Sequence, residues 1–227
     1  MASQGVLWDM DGVLVDTGHF HYQAWSETLS VCGMPFNHEL FRSTFGMNNA
    51  GTLTTLLGQR PAPELLAEIS DRKEQRFRQA MRGRVQPLPG VLDWLKRLKD
   101  AGFQQAITSS APPANIEALV DELGLHSYFD TVVSGFDLPG KPEPTLFLEV
   151  ARQLEVPPER CIIVEDAIAG VEAAKRAGMR CVAVTTTNPA EALQAADVVV
   201  ERLDILPKDT FQRLLKGVLW QPASPSG

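Results

Sequence analysis

Two carboxylates two residues apart, Asp9 and Asp11, end the apolar run Val6-Leu7-Trp8 and are followed at once by Gly12. A buried strand running out into a tight turn brings both side chains to the carboxyl edge of a sheet, where open α/β folds bind ligands. Carboxylates this close repel, so both stay ionised only beside a cation or hydrogen-bond donors. Asp-x-Asp alone is a weak pattern, and a solvated turn would look the same. Three later stretches strengthen it. Ser109-Ser110 follow Gln105-Ala106-Ile107-Thr108, Lys141 stands in Gly140-Lys141-Pro142-Glu143-Pro144, and Glu165-Asp166 end Cys161-Ile162-Ile163-Val164. Each has an ordinary explanation: a helix-capping serine, a solvated lysine, an acidic turn. All four, however, fall at the same edge of one inferred sheet and can converge.

Together they are complete for phosphoryl transfer, which needs a nucleophile, a cation on the phosphoryl oxygens and donors for the remaining charge. Asp9 and Asp166 suit Mg²⁺, a hard ion that takes oxygen ligands and keeps waters. A carboxylate can attack phosphorus to give an acyl phosphate. Ser109 offers a hydroxyl donor and Lys141 a positive charge, and Asp11 remains as general acid and base.

The elements that must position these groups follow from the apolar pattern. From Gly90 onward strands and helices alternate. Strands are expected at 105–108, 131–133, 161–164, 181–184 and 197–200, with helices at 91–98, 115–123, 144–154, 171–177 and 211–215. Alternation of this kind predicts an α/β fold with a doubly wound parallel sheet and right-handed crossovers. Between Thr17 and Gln86 only helical spacing is found. His19 to Cys32 is one helix, Leu40 to Phe45 a short second, Leu53–Leu57 a third with Asn48 or Asn49 as its cap, and a long fourth begins near Pro61. An all-helical insertion after the first strand sits over the ligand crevice and reads as a cap. The expected organisation is a core of 1–16 and 87–220, a cap of 17–86, and a disordered polar tail at 221–227.

The chain has 227 residues, 44% hydrophobic and 22% charged, the profile of an ordinary globule of one or two domains. A net charge of -7 gives no footprint for nucleic acid or an anionic membrane surface. Three cysteines without a Cys-x-x-Cys support neither zinc nor a disulfide framework and suit a reducing cytoplasm. No apolar stretch is long enough to span a bilayer, and Met1-Ala2-Ser3-Gln4 leads straight into the first strand, so no signal peptide is expected. A monomer acting on a small metabolite is the expectation.

Asp9-Met10-Asp11-Gly12-Val13-Leu14, the Ser109 strand end, Gly140-Lys141-Pro142-Glu143-Pro144 and Val164-Glu165-Asp166-Ala167-Ile168-Ala169-Gly170 resemble, in order, the four motifs of the haloacid dehalogenase superfamily. Asp16-Thr17, His21, Ala24 and Trp25 further resemble its β-phosphoglucomutase-like branch. The resemblance implies a Rossmann-like core with a helical cap and a Mg²⁺-dependent phosphatase acting on a small phosphorylated sugar or polyol. It makes Asp9 the nucleophile and Asp11 the acid and base. It gives Mg²⁺ to the Asp9 carboxylate, the Asp11 backbone carbonyl and Asp166, with Glu165 a ligand or just behind one. Phosphate falls to Ser109, Ser110 and Lys141. His21, Trp25, Asn49 and Lys73 become substrate-facing cap residues. Asn49 stands where the mutase has a phosphate-binding arginine, which favours a phosphatase over a sugar phosphomutase. A non-catalytic phospho-acceptor domain is the third alternative, and Asp11 argues against it.

Overall fold

A computed structural model describes residues 3–218 of the chain. The expected tail at 221–227 lies outside them. In order, the elements are β1 (Gly5–Trp8), α1 (Gly18–Val31), α2 (His38–Thr44), α3 (Asn49–Leu57), α4 (Pro63–Met81), α5 (Val91–Asp100), β2 (Gln104–Ser109), α6 (Pro113–Leu123), β3 (Thr131–Ser134), α7 (Thr145–Gln153), β4 (Cys161–Glu165), α8 (Ile168–Arg176), β5 (Arg180–Val184), β6 (Val198–Val200) and α9 (Thr210–Leu215). Short 3₁₀ turns join several of them.

The six strands form one parallel sheet in the order β3-β2-β1-β4-β5-β6. The first strand is central because every residue of it is apolar or glycine and can be buried on both faces. Helices cover the two faces in separate apolar layers. Trp8, Trp94, Ile107 and Phe211 belong to one, and Leu7, Phe147, Ile163 and Cys181 to the other. Each large side chain buried in this way contributes about 1.5–3 kcal/mol.

Register carries the strand-end residues to one place. Trp8 is level with Ile107 of β2 and with Val164 of β4. The next residues, Asp9, Thr108 and Glu165, therefore emerge side by side, with Ser109 and Asp166 one step further. The order reverses direction at β1, which makes its carboxyl edge the crevice of an open α/β sheet.

The chain leaves this layer after Val15 and returns at Pro87, where the two residues form an isolated antiparallel bridge. The four intervening helices, α1–α4, bury a small cluster of their own from Trp25, Leu29, Leu53 and Ile69. The long helix starts at Pro63 rather than Pro61, and the proline still occupies the first turn, where its missing N–H costs nothing. Of the two candidate caps for α3, Asn48 is the one used: its side-chain oxygen accepts from the Gly51 N–H at 2.9 Å. Among the described residues no helix is long and apolar enough to cross a membrane.

Candidate active site

Asp9 extends β1 by one rung, its N–H donating to the Val164 carbonyl at 2.9 Å. Its carboxylate Oδ1 accepts from the Lys141 ammonium at 2.6 Å, and the same ammonium binds Glu165 Oε1. Glu165 Oε2 takes the backbone N–H groups of Asp166 and Ala167, both at 3.0 Å, and so fixes the turn into α8. Asp9, Lys141, Glu165 and Asp166 are all buried. Two glycines make room for this. A Cβ on Gly12, whose φ is +86°, would lie 1.8 Å from Asp166 Oδ2, and one on Gly170 would lie 2.0 Å from Glu165 Oε1. Any side chain at either position would displace a carboxylate.

Asp9, Glu165 and Asp166 each offer an oxygen within 4.8 Å of the others. Lys141 supplies a single positive charge against three carboxylates. Burial pushes the Asp9 carboxyl up to about 8; Lys141 opposes the shift, while the charges of Glu165 and Asp11 add to it. Burial likewise raises Asp166 well above the ordinary carboxylate range, helped by Glu165 and Asp9. Asp166 Oδ2 accepts from the Thr187 hydroxyl, but Oδ1 is buried with no hydrogen-bond partner. An orphaned buried oxygen within an excess of negative charge and oxygen-only donors fits Mg²⁺.

Asp11 is set apart from this cluster. Its Oδ1 accepts from the Thr17 hydroxyl and meets His21 Nε2 at 3.1 Å. The Lys73 ammonium lies 2.9 Å from His21 Nδ1. Because an ammonium can only donate, Nδ1 is the acceptor and Nε2 carries the proton given to Asp11. The imidazole is held flat against Phe77, with ring centroids 3.9 Å apart. Burial alone would raise the Asp11 carboxyl, but His21, Thr17 and Lys73 outweigh it and hold Asp11 below its ordinary value.

The pocket above these groups is lined by Asp9, Asp11, Ser109 and Ser110 from the strand ends and by His21, Trp25, Asn49 and Lys73 from the helical insertion. The sequence-derived residues are thus gathered in one place, with Lys141, Glu165 and Asp166 beneath. Three of them do something different there. The Ser110 hydroxyl donates to the Gly46 carbonyl at 2.9 Å, tying the β2 end to the insertion, so its proton is not free for phosphate. The Asn49 amide donates to Glu74 Oε1 at 2.8 Å rather than facing a ligand unpaired. Lys73 is buried and fixed, not a flexible point charge. The Ser109 oxygen accepts from the Ala111 N–H at 3.1 Å, which closes the turn after β2 rather than capping α6, whose N-cap is Pro112 with no side-chain bond; its own proton is left to give.

Glu74, Asn115, Thr187 and Asn188 were not foreseen. The Asn188 amide donates to the Asp166 carbonyl at 3.0 Å, so with Thr187 the loop after β5 orients Asp166. Glu74 had a visible signal. Ile69, Lys73 and Phe77 recur every four residues on α4, so a Lys-Glu pair interrupts an otherwise apolar stripe.

Residues 4–178 match the family model of haloacid dehalogenase-like hydrolases. The phosphorylated carbohydrates phosphatase of Thermotoga maritima is 29% identical over 219 residues, covering 95% of this chain and 100% of that one. Among solved structures, β-phosphoglucomutase from Clostridium difficile superposes with a TM-score of 0.85 at 25% identity, covering 95% of this chain and 98% of that chain. A variant of CbbY from Rhodobacter sphaeroides in complex with xylulose 1,5-bisphosphate superposes with a TM-score of 0.80 at 28% identity, covering 90% and 96%. With its parallel six-stranded sheet and a matched span running from the first strand through α8, the chain belongs to the haloacid dehalogenase-like hydrolases.

Proposed function

We propose that this hydrolase is a Mg²⁺-dependent phosphatase of small phosphorylated sugars or polyols, working through an aspartyl phosphate on Asp9. The observation that carries the reading is the buried Asp9–Lys141–Glu165–Asp166 cluster with its orphaned Asp166 oxygen, facing an Asp11 already oriented by Thr17 and His21. In this reading residues 17–86 form a cap over a core of 1–16 and 87–220. The pocket between them is partly open to solvent, and a sugar phosphate would enter it with its phosphate toward Asp9 and its sugar toward the helical insertion.

Asp9, Asp166 and Glu165, the last directly or through water, would hold Mg²⁺, which supplies charge neutralisation at the phosphoryl oxygens. The Asp9 carboxylate attacks phosphorus as the ester P–O bond breaks. Protonated Asp11 gives its proton to the departing oxygen. Asp11, now a carboxylate, takes a proton from water, whose oxygen attacks the aspartyl phosphate. Inorganic phosphate leaves and the Asp9 carboxylate is restored. Ser109 and Lys141 bind the phosphoryl oxygens throughout. The two buried free thiols, Cys161 and Cys181, suit work in a reducing cytoplasm.

Metal and proton compete for the same carboxylates. The folded Asp9 pKa, about 8, lies above its unfolded value of 3.8. The folded protein therefore holds a proton that the unfolded chain releases. Metal-free stability falls as pH rises between those values. Mg²⁺ needs the ionised form, so the rise in Tm on adding Mg²⁺ should be larger at about pH 8 than at about pH 6. EDTA should remove both the stabilisation and the phosphatase activity. Full activity in EDTA, or a Mg²⁺ shift that shrinks as pH rises, would sink the metal site.

A sugar phosphomutase would use the same aspartyl phosphate but must hold a second phosphate in the cap. Asn49 offers that phosphate no charge, and its amide is engaged by Glu74. β-Glucose 1-phosphate with enzyme, Mg²⁺ and a trace of glucose bisphosphate should be converted to inorganic phosphate, followed by phosphorus NMR, with free glucose released in equal amount. A glucose 6-phosphate resonance outgrowing inorganic phosphate would promote the mutase.

A further inference from the structure

Lys73 is the only lysine or arginine among the described residues lining the pocket. It lies on the helical insertion, where a second anionic group of a substrate would arrive. Its ammonium is 2.9 Å from Glu74 Oε1 and 2.9 Å from His21 Nδ1, and it sits over the rings of Trp25 and Phe77 at 5.3 and 5.5 Å. Glu74 is held as firmly. Oε1 also accepts from Asn49 at 2.8 Å, and Oε2 from Asn115, whose own oxygen receives Arg78 at 2.6 Å. Both members of the pair are almost fully buried. Burial alone would raise the Glu74 carboxyl, yet the Lys73 ammonium and the Asn49 amide hold it below its ordinary value, so the pair is ionic.

A buried cation cancelled at 2.9 Å presents a dipole, not a charge, to the rest of the pocket. A phosphate dianion arriving there would find no uncompensated positive group and would be repelled by the Glu74 carboxylate. An uncharged sugar end pays no such penalty and meets Thr44, Thr52 and aromatic rings.

We infer that Glu74 is a specificity-determining residue: by cancelling the charge of Lys73 it restricts the site to substrates with a single phosphate and an uncharged remainder. The inference rests on the phosphatase reading and narrows it.

The test compares kcat/KM for fructose 1-phosphate and fructose 1,6-bisphosphate with Mg²⁺. Wild type should prefer the monophosphate at least about tenfold, a difference of about 1.4 kcal/mol. Glu74→Gln keeps the shape and an acceptor oxygen but frees the Lys73 charge, and should cut that preference at least about tenfold. A purely structural role would lower both substrates together and leave the ratio unmoved. An unmoved ratio in a Glu74→Gln protein that melts cooperatively overturns the inference. So does a wild type that uses the bisphosphate equally well. Where the single variant does not fold, Lys73→Gln/Glu74→Gln removes both charges at once and should keep the wild-type ratio within about threefold. A tenfold gain in monophosphate preference there would show that Lys73 had been serving the second phosphate, and would also overturn the inference. Release of phosphate from neither sugar overturns the phosphatase reading and this inference with it.

Discussion

Asp9→Asn is expected to abolish turnover while leaving the protein folded. An amide is not nucleophilic enough to form the acyl phosphate, and loss of a covalent nucleophile commonly costs about 10⁴-fold or more. Nothing about the fold requires the charge. Asp9 Oδ1 accepts from Lys141 at 2.6 Å, and an asparagine oxygen can accept the same bond. The charge is in fact a burden in the metal-free protein, because burial pushes the Asp9 carboxyl up to about 8. The neutral variant escapes that burden. At about pH 8 without Mg²⁺ it should melt at or above the wild-type temperature, and the gap should close as the pH is lowered and wild-type Asp9 takes up its proton. Phosphate release and thermal melts on the same preparations check both halves. An Asp9→Asn protein of near-normal activity would refute the assignment, and one that unfolds at every pH would refute the account of the cluster.

Much of this arrangement was legible in the sequence, for a physical reason. Each strand of a parallel sheet is covered on both faces, so it appears as an unbroken apolar run. The polar residues that end such runs must then lie at one edge. That is how Asp9, Ser109 and Glu165-Asp166, 157 positions apart at the extremes, could be assigned to one crevice. All six strands stand where the runs predicted. The bounds of helices moved by a few residues, as with α4 at Pro63, because proline punctuates a helix start without fixing which of two prolines takes the first turn.

What stayed hidden was side-chain pairing. Ser110, Asn49 and Lys73 do lie at the pocket, as expected from their positions, yet their hydrogen-bonding groups are committed to Gly46, Glu74 and His21. A sequence shows which groups arrive at a site but not which of them satisfy one another once buried. Glu74 and Asn115 are 41 positions apart and belong to different helices, one in the insertion and one beside the sheet. No local pattern links them. Their bond exists because burial demands partners for both. The same demand makes the insertion electrically specific: Asp11, His21, Lys73 and Glu74 form a continuous hydrogen-bonded chain from the sheet edge into α4.

That chain sets the outcome at Asp11. Asp11→Ala should slow both chemical steps, since one carboxyl group protonates the leaving oxygen and then activates water. General acid–base help of this kind is worth about 10²–10⁴-fold. The two steps separate by leaving group. An aryl phosphate departs without a proton, so its transfer to Asp9 should be nearly spared. Hydrolysis of the aspartyl phosphate still lacks its base, and phosphoenzyme should accumulate behind a burst of phenol. An alkyl phosphate needs the proton at once and should lose the full factor with no burst. Thr17 and His21 both contact Asp11 Oδ1 and hold the carboxyl below its ordinary value, poised as the base of the second step. The acid form needed first is therefore scarce in the free enzyme, and becomes scarcer as pH rises. Wild-type kcat/KM for alkyl phosphates should accordingly decline with rising pH more steeply than for aryl phosphates, and in Asp11→Ala this difference in slope should vanish. Rapid-quench measurement of the burst, with pH profiles for one substrate of each kind, tests the role. Equal losses for both substrates without phosphoenzyme would remove Asp11 from it.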